Sequence, residues 1–102
     1  MIVQTYRYRV SPKKVDSYLK IQKEADQLYR KHVDYQIEYL NSHDDPWDWL
    51  EIQKFKSKSD AEKANRLDEV EPRLRELFEA FINVLDDKNK EVVLESFESR
   101  SF

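Results

Sequence analysis

Residues 41–55 bring together the residue types that bind metal ions. The segment NSHDDPWDWLEIQKF contains a histidine, four acidic residues and both tryptophans of the chain. Imidazole and carboxylate groups can hold a hard or borderline cation. The candidate ligands are His43, Asp44, Asp45 and Asp48. Their spacing matches no known ion-binding loop, and the chain has no glycine for the turn of such a loop. Because Asn, Ser and Asp favour turns, we interpret the residues before Pro46 as a solvated hairpin turn without a metal.

His32 is a second candidate for chemistry. In a pocket its imidazole would titrate near neutral pH and could act as a general base. The favoured alternative places it at the C-terminal end of the first helix, where it interacts with the last carbonyl groups. The chain has only two histidines, and neither accompanies a motif that contains a nucleophile. A Ser-His-Asp triad or a similar arrangement is therefore not predicted.

Aromatic side chains are concentrated in the predicted strands. Such rings could line a flat apolar pocket, and their hydroxyl and indole N–H groups could orient a phenolic or quinone-like ligand. Packing in the core and at a dimer interface is the alternative, because both environments are rich in Tyr and Trp. The residues concerned are Tyr6, Tyr8, Tyr35, Tyr39, Trp47 and Trp49.

Arg7 and Arg9 lie on one face of the first predicted strand. Two guanidinium groups on one face could clamp a carboxylate. We favour a structural role, in which they pair with Asp48, with Glu95 or with acidic residues of a partner subunit.

The composition excludes several functional classes. The 102 residues suffice for one domain with a modest core. A net charge of −3 lacks the basic surplus that nucleic acid or an anionic membrane requires of a partner. Without cysteine there are no disulfides or thiolate sites, and without glycine a phosphate-binding loop is not expected. Since no segment reads as a transmembrane helix or signal peptide, we expect a cytoplasmic protein.

The first half of the chain predicts a strand, a helix and a second strand. Residues 2–10 alternate between two faces, with Tyr6 and Tyr8 on one of them. Ser11 and Pro12 suit the start of a helix, which is expected over residues 12–31. Alternation returns over residues 33–40, which are expected to form the second strand.

The second half predicts a strand, an interrupted helix and a last strand. Residues 47–55 alternate and form the third strand. Ser59 and Glu62 have the spacing of a capping box, which predicts the start of the second helix. Pro72 falls inside the helical pattern, so we expect a break near Val70 and a new helical segment from Pro72. Residues 91–99 read as the fourth strand.

The order β-α-β-β-α-β predicts an α+β, ferredoxin-like domain over residues 1–102, with both helices on one face of an antiparallel sheet in the order 4-1-3-2. Its strands carry apolar residues on both faces, for example Trp49 on one side and Leu50 and Ile52 on the other. Leaving apolar surface in water costs roughly 25 cal/mol per Å2. A homodimer through the sheet faces, with twofold symmetry, is therefore expected.

Two segments carry a resemblance to a known family. They are RYRVSPKKVDSYL, at the end of the first strand, and WLEIQKFKSKSDAEKA, where the third strand leads into the second helix. The second segment resembles a pattern of a strand Glu, often a Trp, an aromatic strand end, a Ser and an Ala-containing helix start. On these residues the chain resembles the antibiotic-biosynthesis-monooxygenase-like domains of the dimeric α/β-barrel superfamily. The resemblance implies a homodimer with a pocket between sheet and helices in each subunit.

The resemblance also bears on cofactors. Glu51 matches the strand Glu of the family, and Gln53 stands where the family often has Trp. The haem-degrading branch is disfavoured, because residues 60–65 contain no histidine and Tyr6 stands where that branch has Asn. Another activity that the resemblance implies is that of an oxygenase that uses no metal or flavin and acts on a small aromatic or quinol-like compound.

The residues implied for this site fall into two groups. Gln53, Tyr6 and His32 are the catalytic candidates, and Trp49, Tyr8, Trp47 and Glu51 are the ligand-binding candidates. The resemblance turns Trp47, Trp49, Glu51, Gln53 and Phe55 toward the helices, and Leu50 and Ile52 toward the partner. The alternative is a non-catalytic dimeric module, for ligand binding or structure, in which the same aromatic residues are packing. A connected cavity that touches Tyr6, Trp49 and Gln53 together would favour the enzyme.

Overall fold

The computed structural model describes residues 1–100 and contains one four-stranded antiparallel sheet. The strands lie in the order β2-β3-β1-β4, which is the predicted order 4-1-3-2 read from the other edge. Their bounds are β1 Ile2–Arg9, β2 Tyr35–Asn41, β3 Asp48–Phe55 and β4 Val93–Glu98. The predicted α+β, ferredoxin-like fold is confirmed.

Three α-helices pack on one face of the sheet. A single 3-10 turn over Pro12–Lys14 leads into the first helix, so the predicted helix from residue 12 is α-helical only from residue 15. The break predicted near Val70 is also present, with Pro72 at the N-terminal cap of the last helix. The bounds are α1 Val15–Arg30, α2 Lys58–Asn65 and α3 Arg73–Val84. None of these helices, within residues 1–100, is long and apolar enough to cross a membrane.

The start of α2 differs from the prediction by two residues. Ser57, in an extended conformation, is the N-cap, and its Oγ accepts a hydrogen bond of 3.1 Å from the backbone N–H of Asp60. Ser59, which the capping-box spacing had favoured, lies inside the helix. The segment contains Ser at both positions, and spacing alone does not say which of them leaves the strand in the extended conformation that a cap requires.

The register of the sheet places selected polar residues on the face toward the helices. Glu51 of β3 lies between Tyr39 of β2 and Tyr6 of β1, and Gln53 lies beside Gln4. Along β3 every second residue is buried, namely Trp49, Glu51, Gln53 and Phe55. The predicted alternation of this strand is therefore confirmed.

Three groups of buried residues form the core between the sheet and the helices. Tyr8, Tyr18 and Trp49 belong to the first, at the β2–β3 hairpin end of the sheet. Phe55 belongs to the second, and its ring stacks on that of Tyr35. The third joins α3 to the 3-10 turn after α2 through Leu67, Leu74 and Leu77. The three groups surround a space that they do not fill, and the candidate site lies there.

The cap of α2 gives a test of local stability. Ser57→Ala should lower the free energy of unfolding by about 1 kcal/mol, because the N–H of Asp60 loses its partner. Ser59→Ala should change it by less than about 0.5 kcal/mol, because that side chain makes no cap. Urea unfolding followed by circular dichroism measures both, and equal losses would contradict the assignment of the cap to Ser57.

Candidate functional site

A cavity of about 370 Å3 lies between the sheet and helices α1 and α3. Its volume is in the range of small-molecule sites, which is about 300–1,000 Å3. Five tyrosines contribute to its wall, together with aliphatic and phenylalanine side chains. The polar or ionisable residues that line it are Tyr6, Tyr8, Gln22, Asp26, Tyr29, Tyr35, Tyr39, Glu51 and Gln53.

Glu51 is the buried carboxyl group of this cavity, with 8% of its surface exposed. Its Oε1 accepts hydrogen bonds from the Tyr8 hydroxyl at 3.0 Å and from Gln22 Nε2 at 3.4 Å. Its Oε2 accepts a bond of 2.7 Å from Gln53 Nε2. These donors come from strand β1, helix α1 and strand β3, so the arrangement of all three elements determines the environment of this one carboxyl group.

Burial is the largest influence on the acidity of Glu51. Removal from water disfavours the carboxylate and raises its pKa above the ordinary value, and the hydrogen bonds from Gln53 and Tyr8 oppose this only in part. Burial likewise raises the pKa of the Tyr6, Tyr8 and Tyr39 hydroxyls, with a second contribution from the nearby Glu51 charge. The phenols therefore remain protonated and can donate hydrogen bonds, while Glu51 is the group whose charge can change.

Two phenols behind Glu51 form a short hydrogen-bonded chain. The Tyr8 and Tyr18 hydroxyl oxygens lie 2.6 Å apart, and both residues are almost wholly buried. A phenol has a single proton to donate. When Tyr8 donates its proton to ionised Glu51, the Tyr18 hydroxyl must be the donor to Tyr8. The chain therefore supports a negative charge on Glu51 at one end and leads into the core at the other.

A second polar group lies along the same wall. Asp26 Oδ1 accepts a hydrogen bond of 2.6 Å from the Tyr35 hydroxyl, and its Oδ2 accepts one of 3.0 Å from Arg30 Nε. The Arg30 guanidinium also lies over the Tyr35 ring, 5.2 Å from its centroid. The charge of Asp26 is thus balanced by Arg30, whereas no lysine, arginine or histidine of residues 1–100 forms an ion pair with Glu51.

The cavity brings together four of the seven predicted site residues: Tyr6, Tyr8, Glu51 and Gln53. Trp49 does not line it. The Trp49 ring packs in the core, 4.8 Å from the Tyr18 ring centroid, and its indole N–H has no hydrogen-bond partner. The cavity therefore touches Tyr6 and Gln53, as expected, but it does not touch Trp49.

Trp47 and His32 lie outside the cavity. Trp47 precedes β3, and its ring lies against the Arg9 guanidinium, 5.9 Å from the ring centroid, so the expectation that it continues the cavity-lining row is wrong. His32 follows the end of α1 and its Nε2 lies 2.8 Å from a carboxylate oxygen of Glu71. It borders a shallow surface depression instead, because the helix ends before its side chain reaches the cavity.

The inner face of α1 contributes residues that were not among the predicted site residues. Tyr18, Gln22, Asp26 and Tyr29 follow one another at spacings of three or four residues, so they share the face that turns toward the sheet. Gln22 and Asp26 were the signal that could have revealed a site here, because an amide and a carboxylate within an apolar helical stripe require buried partners.

The charged residues of the first strand and the hairpin turn pair with one another. Arg7 bonds Asp48 at 3.0 Å, as expected, and Arg9 bonds Asp45 at 2.8 Å and Asp86 at 3.4 Å. Among residues 1–100 there is no group of three or more His, Asp or Glu side chains placed to hold a metal ion. Asp45 of the turn and Asp48 at the start of β3 thus act in ion pairs with arginine side chains.

The buried carboxyl group predicts how stability depends on pH. The folded chain holds the Glu51 proton more tightly than the unfolded chain does, so the stability linked to this proton is complete below the ordinary pKa of 4.5. It is lost as the pH rises through the raised pKa. The Glu51→Gln side chain cannot ionise, so the variant does not show this loss of stability. Gln53 can rotate its amide so that its oxygen accepts a hydrogen bond from the new amide nitrogen. The melting temperature of the variant should therefore exceed that of the wild-type protein increasingly toward alkaline pH.

Scanning calorimetry of both proteins between about pH 4 and pH 9 measures this difference. Glu62→Gln, an exposed change of the same kind on α2, should give a curve parallel to that of the wild-type protein. A difference between Glu51→Gln and wild type that stays constant with pH would show that the Glu51 pKa is not raised.

Comparison with known proteins identifies the fold. No protein-family model matches the chain, and no curated protein matches it in sequence. Solved structures do match over nearly its whole length. A conserved protein from Methanosarcina mazei is 18% identical, with a TM-score of 0.75, and the match covers 97% of this chain and 92% of that one.

Two further structures carry functional descriptions. A candidate antibiotic biosynthesis monooxygenase from Caulobacter crescentus has a TM-score of 0.80 at 11% identity, with 98% of this chain and 90% of that chain covered. SnoaB, a cofactor-independent oxygenase from Streptomyces nogalater, has a TM-score of 0.74 at 10% identity, with coverages of 99% and 94%. The resemblance found in the sequence is thus confirmed at the level of structure, and the chain has the ferredoxin-like fold of antibiotic-biosynthesis-monooxygenase-like proteins.

Proposed function

We propose that this protein binds a small aromatic, quinol-like compound in the cavity between sheet and helices and oxidises it with O2, without a metal or flavin. The observation that carries the proposal is Glu51, an ionisable group buried inside a cavity of ligand size. A group that must accept and return a proton works best when its pKa lies near the working pH. Burial moves the pKa of Glu51 in that direction.

The wall of the cavity suits a planar aromatic ligand. Tyr6, Tyr39 and Phe81 present aromatic rings to it, and Leu77 and Ile21 present aliphatic surface. Aromatic rings prefer offset or edge-on contacts with other rings, and such contacts can orient a flat ligand without an ionic contact. The Tyr6 and Tyr39 hydroxyls can donate to a carbonyl or hydroxyl oxygen of the ligand, whereas the single protons of Tyr8 and Tyr35 are donated to Glu51 and Asp26.

Glu51 would take part in the reaction as a proton carrier. The carboxylate accepts the proton of a substrate hydroxyl group, and the negative charge spreads over the aromatic system to a ring carbon that carries a hydrogen atom. The resulting anion transfers one electron to O2, and the two radicals combine to form a carbon–oxygen bond. Glu51 returns its proton to the terminal peroxide oxygen, and the hydroperoxide then loses water to leave a carbonyl. In sum, a phenol (or the enol form of anthrone) that carries a hydrogen atom on the oxygenated ring carbon and one molecule of O2 become a quinone and one molecule of water, and the substrate supplies every electron.

Two other cavity residues have supporting roles in this proposal. Gln53 cannot accept a proton as a base, but its N–H group holds Glu51 Oε2 at 2.7 Å and so orients the carboxylate. Tyr6 lies directly opposite Glu51 on the neighbouring strand, and its hydroxyl, which donates to Gln4 Oε1 at 3.3 Å, would turn to donate to the charged substrate oxygen. His32 has no part, because it lies outside the cavity.

Oxygen consumption with anthrone and simple hydroquinones tests this function. Glu51→Gln keeps the shape of the side chain but cannot carry the proton, so the rate should fall at least about 100-fold. The matched control Glu62→Gln on the exposed face of α2 should retain the rate of the wild-type protein. Unchanged turnover in Glu51→Gln would exclude the proposed role of this residue. Binding of these compounds without O2 consumption by the wild-type protein would instead identify a non-catalytic ligand-binding module.

We also propose that two copies of the chain associate through the sheet face that the helices leave uncovered. Across its middle this face carries Leu40, Leu50, Arg7 and Val93 in one cross-strand row. Leu40 and Val93 are 44% and 42% exposed, and Phe97 on the same face is 49% exposed. A second copy of the same face, related by a twofold axis, would remove this apolar surface from water.

Sedimentation at micromolar concentration measures the association. The wild-type protein should sediment as a dimer, and Leu50→Lys should sediment as a monomer, because a buried unpaired cation in the centre of the interface is costly. Val70→Lys changes an apolar residue that is 65% exposed and lies away from the sheet, so this control should remain dimeric. A monomeric wild-type protein would exclude the proposed interface.

A further inference from the structure

Among residues 1–100, the side chains that line the cavity include acids but no base. Its lining contains two carboxyl groups, Asp26 and Glu51, and among residues 1–100 no lysine, arginine or histidine side chain contributes to it. Arg30 lies outside and balances Asp26. An anionic group of a ligand that reaches Glu51 would therefore be removed from water beside a carboxyl group and would find no cation. Like-charge contacts of this kind weaken binding.

The cavity also has a direction. One cross-strand row runs along its floor, from Tyr39 through Glu51 and Tyr6 to Leu94. Glu51 is buried, whereas Leu94 is 56% exposed, and Phe78 on α3 is 59% exposed. Leu94 and Phe78 are thus the exposed members of the lining and mark its mouth. Because neighbouring strands are about 4.8 Å apart, Glu51 and Leu94 are separated by roughly 10 Å.

Polar groups lie at the inner end of the cavity and apolar groups lie at its mouth, which is the reverse of an ordinary surface cleft. The inner end holds Glu51, Gln53 and the Tyr8 hydroxyl, and the mouth is framed by the apolar side chains of Leu94 and Phe78. A ligand with one hydroxylated end and one apolar end matches both regions in only one orientation. Its hydroxyl end can donate to Glu51, and its apolar end covers side chains that are otherwise in water.

We propose that the cavity accepts an uncharged phenol whose hydroxyl end enters first toward Glu51 and whose apolar end lies between Phe78 and Leu94, and that it rejects a ligand with a carboxylate beside the hydroxyl. This inference rests on the proposed function for the location of the ligand, and it adds the charge and the orientation of the substrate. Glu51 and the lack of a cation determine the selectivity at the inner end. Phe78 and Leu94 determine which groups of a ligand can lie at the mouth.

Three matched compounds test the proposal: naphthol, the hydroxynaphthoate with its carboxylate beside the hydroxyl, and the isomer with its carboxylate on the far ring. Binding is measured without oxygen, by calorimetry or quenching of protein fluorescence, so that oxidation plays no part. Naphthol should bind, and the adjacent hydroxynaphthoate should bind at least about tenfold more weakly. The far-ring isomer should bind better than the adjacent one, because its carboxylate emerges at the mouth into water.

Two variants assign these effects to residues. Glu51→Gln should raise the affinity for the adjacent hydroxynaphthoate, whereas Asp26→Asn should not, because Arg30 already balances Asp26. Phe78→Lys introduces a cation at the mouth and should raise the affinity for the far-ring isomer alone. The exposure of Phe78 makes this variant safe for folding, so it keeps the test valid if Glu51→Gln is poorly folded.

The outcomes separate this inference from the proposed function. Equal affinity for naphthol and the adjacent hydroxynaphthoate would overturn the charge selectivity, and equal rejection of both carboxylates would overturn the orientation. The absence of naphthol binding would overturn the inference as a whole. A protein that shows the expected affinities but consumes no O2 with anthrone would retain the inference and lose the oxygenase.

Discussion

Burial of the Glu51 carboxyl group is the constraint on which the arrangement of the site depends. A carboxylate out of water requires hydrogen-bond donors around it, and each bond to a charged group contributes about 1.5–3 kcal/mol. Gln22, Gln53 and Tyr8 supply these donors from a helix and two strands. The position of α1 over the sheet is therefore tied to the position of one side chain. If α1 moved away, the Gln22 donor would be lost and Glu51 would remain buried with fewer partners.

The same constraint explains why the core is divided into three groups around a cavity. Apolar side chains packed directly against Glu51 would raise the cost of its charge, whereas phenols and amides satisfy it. Tyrosines near Glu51 supply hydroxyl groups, and Tyr6 and Tyr39 line the open space without filling it. The large groups that fill space tightly, such as Phe55 stacked on Tyr35 and Trp49 against Tyr18, lie on either side. The open space is thus a consequence of where the polar groups had to be placed.

The fold could be predicted well from the sequence, because the alternation of a strand and the periodicity of a helix are both visible within a single segment. Alternation located β3, and Pro72 located the start of α3. The site could be predicted less well, because it depends on how α1 crosses the sheet. Trp49 shares a face with Glu51, yet its ring turns toward Tyr18 and away from the cavity. His32 continues the helical stripe, but the helix ends at Arg30 and the imidazole pairs with Glu71. Alternation within one strand identifies a face but not which residues on that face meet a cavity.

Strand β3 connects the cavity to the uncovered side of the sheet through an unusual distribution of polarity. Its inner face carries Glu51 and Gln53, and its outer face carries Leu50 and Ile52. A strand in a two-layer domain ordinarily has apolar residues inside and polar residues outside. The inner polar residues are tolerated because they have hydrogen-bond partners and a cavity beside them. The outer apolar residues have no comparable explanation in a single copy of the chain, since side chains of that kind gain stability only when something covers them. The two halves of the proposal therefore have a common origin: the residues that create a polar pocket on one side of β3 alternate with apolar residues that the proposed dimer would cover on the other.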